Sequence, residues 1–347
     1  MPKTIAPQRA LILIVLAQFL GTSLWFAGNA AAPELESVLG QSGLVSVITS
    51  SVQLGFIAGT LVFAFLSIPD RYSPSRVFFV SALFASLCNL SITLLPLSLQ
   101  MILSFRFLTG FFLAGIYPVG MKIAADYFEK GLGSALGFLV GALVLGTASP
   151  FLLKALGITL SWKLIFWSTS GFALLGGILV GFAVPDGPFR KANPKFDPTI
   201  IPALLKNNSL KGAASGYFGH MWELYTFWAF LPVLIQHLKN EALIDSRNSL
   251  WTFLIIAGGA VSCAIGGWVS LKKGSENVAR ISLMGSGICC LVLLMSPELP
   301  QWALFTFLTI WGMLVVADSP QFSSLVAQSI SPEQRGTALT LVNSIGF

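Results

Sequence analysis

Ten stretches of roughly twenty residues run through this sequence with almost no charged side chains in them, near 10–32, 44–68, 77–96, 100–122, 134–156, 162–184, 213–235, 249–271, 281–296 and 301–325. A helix of about 20 apolar residues crosses the hydrocarbon core of a bilayer while its backbone satisfies its own hydrogen bonds. No other local structure does so segment by segment. The composition agrees: 55 % of residues are hydrophobic and 10 % charged, with a mean hydropathy of +0.81, whereas a soluble domain carries charge at roughly a quarter of its positions. The expected fold class is therefore an all-α polytopic membrane protein with about ten complete spans and an eleventh begun near Thr337.

The first span follows Lys3 and Arg9 and ends in Ala30-Ala31-Ala32, which looks like the small-residue end of a signal peptide. Its apolar run is too long for one and reads as a retained first helix. Cys88, Cys263, Cys289 and Cys290 all lie in apolar stretches, so neither a disulfide framework nor a spaced metal cluster is expected. Between the sixth and seventh spans, Pro185 to Gly212 collects Asp186, Arg190, Lys191, Lys195, Asp197, Lys206 and Lys211 with five prolines, a basic solvated loop. This divides the chain into 1–184, a central loop 185–212, and 213–347.

Basic residues near helix ends are retained on the cytoplasmic side. A cytoplasmic N-terminus puts fifteen there: Lys3, Arg9, Arg71, Arg76, Lys122, Lys130, Arg190, Lys191, Lys195, Lys206, Lys211, Lys272, Lys273, Arg280 and Arg335. Four fall outside, Lys154, Lys163, Lys239 and Arg247. The net charge of +6 is thus a topology signal and no nucleic-acid partner is expected. An internal repeat supports two halves. Gly133-Ser134-Ala135-Leu136 opens the fifth span and Gly336-Thr337-Ala338-Leu339 the eleventh, each after a loop glutamate, Glu129 and Glu333. Because two helices follow the first copy, the expectation is a C-terminally truncated chain lacking most of helix eleven and all of helix twelve, with a lateral gap beside helix ten.

Six spans, a basic central loop and a second set resemble the major facilitator superfamily, and local patterns agree. The loop after span two carries Asp70, Arg71 and a displaced Arg76, as in that family's G-x-x-x-D-R-x-G-R-[RK], with Leu66 and Ser73 in place of glycines. The equivalent loop after span eight keeps Gly267, Lys272 and Gly274. Span four has Arg106-Phe107-Leu108-Thr109-Gly110 against R-x-x-Q-G, and span five has Gly137, Gly141, Gly146 and Pro150, similar to a pattern associated with exchangers. His220-Met221-Trp222-Glu223-Leu224-Tyr225 and Ala317-Asp318-Ser319-Pro320-Gln321-Phe322 look like segments of bacterial members. Nitrate porters of the superfamily place arginines in spans two and eight; neither span here has one, which argues against nitrate. The resemblance implies a 6+6 fold, a multi-pass protein of the inner or plasma membrane acting as a monomer, and a conformational-gate loop at Asp70, Arg71 and Arg76. It also implies that spans one, four, seven and ten line a central cavity.

A charge in the bilayer centre costs about 2.5–3.5 kcal/mol on insertion scales, so it persists where it is paired or faces a wet cavity. Four such residues stand out: Arg106, His220, Glu223 and Asp318. His220 and Glu223 are three apart, on one helical face, as a proton site or as a structural pair satisfying one another. Asp318 precedes Ser319-Pro320, where proline opens the backbone; its carboxylate either serves the site or caps the freed amides. Arg106 offers a planar fork to an anionic solute or to a structural partner. Gln18, Trp25, Asn29, Trp222 and Tyr225 are candidate pocket-lining residues, with Phe26 and Trp228 as further aromatics. Gly55/Gly59 and Gly137/Gly141 have the small-xxx-small spacing of close helix packing.

The expected function is a secondary active transporter that moves a small organic solute by alternating access, with protons as the driving partner through Glu223, His220 or Asp318. Glu223 is the leading carboxylate in that expectation. No cofactor or metal is expected: a P-loop is absent and His220 and Glu223 supply too few metal ligands. Two alternatives share the fold, a membrane sensor that does not transport and an intramembrane enzyme with His220 and Glu223 as acid and base.

Overall fold

A computed structural model describes residues 5–128, 132–157, 161–190, 198–239, 246–295, 299–331 and 334–347. Lys3, Lys130, Lys191 and Lys195 of the topology argument and the loop glutamates Glu129 and Glu333 lie outside those residues, as does the side chain of Arg335. The chain divides into two compact units, Met1–Lys195 and Phe196–Phe347.

The first unit comprises α1 (Pro7–Thr22), α2 (Ala27–Leu39), α3 (Leu44–Phe65), the single turn α4 (Ile68–Arg71), α5 (Pro74–Leu94), α6 (Leu99–Leu113), α7 (Tyr117–Tyr127), α8 (Leu132–Leu156) and α9 (Trp162–Ala183). Two expected spans are each broken into a pair, α1 with α2 and α6 with α7. In the second case Pro118, at the start of α7, has no N–H for the carbonyl of Ala114, and the helix turns over 114–116. In the first, the break at 23–26 has no proline and depends on side chains described below.

Glycines set the closest packing. A Cβ at Gly55 or Gly59 of α3 would collide with the carbonyls of Phe107 or Phe111 on α6, and one at Gly110 with that of Val52. The two backbones therefore touch, as the small-residue spacing requires. Gly146 similarly admits α1 at Phe19 and Thr22, and the Ser149 hydroxyl donates to the Gly146 carbonyl that Pro150 leaves free. Gly137 has nothing within 4 Å, so the close-packing role expected for Gly137 does not hold: that side of α8 is open.

The second unit contains a 3₁₀ turn (Pro198–Ile200), α10 (Ile201–Leu204), α11 (Asn208–Leu238), α12 (Ser246–Lys273), α13 (Ser275–Leu294), α14 (Gln301–Ala317), α15 (Ser319–Gln328) and α16 (Arg335–Gly346). α12 packs on α14, while α13 meets α14 and α15, and α11 meets α15 and α16. In the first unit α5 is covered along its length by α9; on α13 the side chains of Ile281, Met284, Ile288 and Leu291 are about 60 % exposed. Among the described residues nine helices are long and apolar enough to cross a membrane, against ten expected. α11 is the difference. It has 31 residues, but Ser215, Gly216, Gly219, His220 and Glu223 make its centre polar.

Candidate functional site

Pro320 breaks the tenth expected span into α14 and α15, with Asp318 at the junction. Lacking an N–H, Pro320 leaves the Val316 carbonyl without its helical donor, and the Cys263 thiol of α12 lies 3.5 Å from that oxygen. The Asp318 side chain makes no capping bond to the freed amides, contrary to the capping alternative. Its Oδ1 instead lies 2.8 Å from Nδ1 of His220 on α11, both side chains 1 % exposed. The imidazole is flanked by the rings of Tyr217 and Phe322, with centroids 6.3 and 5.8 Å away. Phe322 also lines a cleft of about 560 Å³ in this unit, bordered by Ser209, Gly212, Arg280 and Met284 among others. An ionisable pair thus sits at a helix break, one ring away from open space.

Glu223 does not pair with His220, although the two share a helical face. Its carboxylate turns to other helices: Ser286 Oγ of α13 donates to it at 3.0 Å and Trp311 Nε1 of α14 at 3.5 Å. Nor does Trp222 line an enclosed pocket. Two positions from His220, it lies about 200° around the helix and is 78 % exposed. Tyr225 is buried, its ring 6.0 Å from Trp228 and 5.2 Å from Phe347. Among the described residues no three His, Cys, Asp or Glu side chains stand together as a metal site.

In the first unit Arg106 on α6 is fully buried and meets no carboxylate among the described residues. Nη1 donates to the Leu24 carbonyl at 3.0 Å and to Asn89 Oδ1 at 3.1 Å, and Nη2 donates to the Trp25 carbonyl at 2.5 Å. Leu24 and Trp25 belong to the broken turn between α1 and α2. Carbonyls at such a break have lost helical donors, and a guanidinium fork supplies replacements. Gln18, Trp25 and Asn29 are packed in protein, at most 4 % exposed. The Gln18 amide presses against Gly120 without a hydrogen bond, the Trp25 ring stands edge-on to Phe56, and Asn29 Nδ2 donates to Thr49 Oγ1 at 2.7 Å. None of the three is placed as an open pocket wall.

At the loop after α3, the backbone passes through a left-handed conformation at Ser67 (φ 50°), beside the Leu66 that stands for the family's glycine. Asp70 pairs with Lys122 at 2.9 Å. Arg71 and Arg76 are exposed and join no ion pair among the described residues. The arginine that grips this loop is Arg190: Nη2 donates to the carbonyls of Tyr72 at 2.8 Å and Asp70 at 3.2 Å, while Nη1 pairs with Asp186 at 2.6 Å. Asp186 in turn accepts from Ser73 Oγ. Lys122, Asp186 and Arg190 are visible in the sequence only as cytoplasmic charges. Apart from the i,i+4 pair that Asp186 and Arg190 make with each other, their partners are more than fifty residues away along the chain.

Known structures share this fold. A bacterial homologue of the human lysosomal transporter Spinster aligns in an inward-facing, occupied conformation at 15 % identity and TM-score 0.69, over 98 % of this chain and 78 % of that one. In its unoccupied inward-facing form the TM-score is 0.67, at 15 % identity over 98 % and 79 % of the two chains. A variant of the nucleoside transporter NupG aligns at 14 % identity and TM-score 0.74, over 97 % and 88 %. At these identities the likeness is one of fold. No curated protein matches the sequence. The sequence itself matches the Major Facilitator Superfamily over residues 13–347, nearly its full length, and the chain is a multi-pass membrane transporter of that family.

Proposed function

We propose that this protein is a secondary active transporter that moves a small organic solute by alternating access, driven by protons that bind and leave at His220 and Asp318. The carrying observation is the 2.8 Å contact between two fully buried titratable side chains at the break between α14 and α15. Ionisable residues at membrane depth mark ion and proton pathways, and broken helices near the midplane are where transporters bind their cargo. A proton on the imidazole turns its contact with an ionised Asp318 into an ion pair, whereas a proton on the carboxylate leaves the pair neutral or with a spare positive charge; either change biases the helices that carry them. Asp318 replaces Glu223 as the leading coupling carboxylate, because Asp318 has the imidazole as partner and no competing cap. Glu223 is satisfied by two neutral donors on α13 and α14.

In this reading the protein works as a monomer in the inner or plasma membrane, with its N-terminus cytoplasmic and the Asp70, Lys122, Asp186 and Arg190 network closing the cytoplasmic end of the first unit. A thermal-shift screen of organic acids, amines and drug-like cations identifies a bound solute. Flux of that solute into proteoliposomes then tests the reading. Accumulation driven by a pH gradient is the expected result. Binding with no flux would make the protein a sensor, and chemical conversion of the solute would make it an enzyme; either outcome sinks the proposal.

A further inference from the structure

A group of buried polar side chains of the first unit meets at Asn89, a fully buried residue in the C-terminal half of α5. Its Oδ1 accepts from Arg106 Nη1 at 3.1 Å. Its Nδ2 lies 2.9 Å from Ser170 Oγ, 3.1 Å from Thr169 Oγ1 and 3.2 Å from the Phe166 carbonyl, all on α9. Chemistry fixes this orientation of the amide, since a guanidinium has only donors and the oxygen must face it. The same guanidinium continues to the carbonyls of Leu24 and Trp25 in the open turn of the first span. Ser23 Oγ of that turn lies 3.4 Å from the Thr169 carbonyl. The circuit therefore joins α5, α6, α9 and the junction of α1 with α2.

Among the described residues Asn89 is the side chain that accepts from the arginine. Arg106 has three oxygen partners; two are main-chain carbonyls of the turn it stabilises, and Asn89 contributes the remaining one. On its far side Nε stands against Gly28, where an added Cβ would come within 3.3 Å of it. Packing there limits the side chain without orienting its fork.

We propose that Asn89 is a positioning residue for Arg106: it aims the fork at the open turn between α1 and α2 and ties that turn to α9. Its purpose, holding a hinge that shifts during transport, rests on the transporter reading; its geometry does not. With Oδ1 gone, the guanidinium swings, the Leu24 and Trp25 carbonyls lose their donors part of the time, and the turn opens more often.

Hydrogen–deuterium exchange on the full chain in lipid nanodiscs tests this without solute or pH gradient, so its failure is distinct from failure of proton coupling. Asn89→Ala should raise exchange of the amides at 23–27 roughly fivefold or more, as the loss of one charge-assisted hydrogen bond allows. α3 and α8 should exchange as in the wild type. Asn89→Asp, which keeps an acceptor for Arg106, should leave 23–27 at the wild-type rate. In an Arg106→Gln background, Asn89→Ala should add nothing, because it acts through the arginine. A uniform rise across the unit, a full additive effect on Arg106→Gln, or Asp behaving like Ala would each overturn the proposal. If Asn89→Ala does not fold, Asn89→Ser against Asn89→Asp gives the same comparison.

Discussion

Arg106 is held by three neutral oxygens, two of them carbonyls of one broken turn, so the planar spread of its donors matters more than its charge. Arg106→Lys should therefore fail to restore what Arg106→Gln removes, since a single ammonium cannot span the three acceptors. Both should lower stability by on the order of 2 kcal/mol, read as the midpoint of thermal unfolding in detergent. Wild-type stability in the lysine variant would mean that the charge alone suffices. Arg106, His220, Glu223 and Asp318 were legible in the sequence because charge in an apolar span is costly. Their partners were not. Asn89, Ser286 and Trp311 are neutral, and hydropathy gives them no signal. His220 meets Asp318 across nearly a hundred residues, while the three-residue spacing to Glu223 suggested the wrong partner. Trp222 lies on the opposite side of α11 from His220 and is exposed, a placement that hydropathy alone does not give.

At the scale of elements, helix contact and helix breakage follow from glycine and proline. Because a Cβ at Gly55 would collide with the Phe107 carbonyl of α6, Gly55→Ala should destabilise the protein by about 1–3 kcal/mol through overpacking. Gly137→Ala, facing open space, should change unfolding little or raise the midpoint slightly through helix propensity. Equal effects from the two would contradict the close α3–α6 contact. The apolar windows located nearly every span, since burial in lipid leaves a direct trace in composition. Breaks inside a span leave almost none: Pro320 has a carboxylate neighbour in Asp318, Pro118 has none, and the turn at 23–26 has no proline at all.

For the molecule as a whole, the distribution of lysine and arginine predicts orientation. In a background lacking the native cysteines, Asn240→Cys should react with an impermeant thiol reagent in intact cells and Asn193→Cys should not. Both positions lie outside the described residues, so labelling provides independent information. Reaction at both would break the proposed topology, and reaction at Asn193 alone would reverse it. The central claim, that protons drive transport through the His220–Asp318 pair, meets its most direct test in proteoliposomes that report net solute uptake under a pH gradient and solute exchange without one. Asp318→Asn should abolish the first and leave the second largely intact, because exchange needs no net proton movement, while Glu223→Gln should retain much of both. Unchanged pH-driven uptake in Asp318→Asn, with its loss in Glu223→Gln, would contradict the account and return the proton to Glu223.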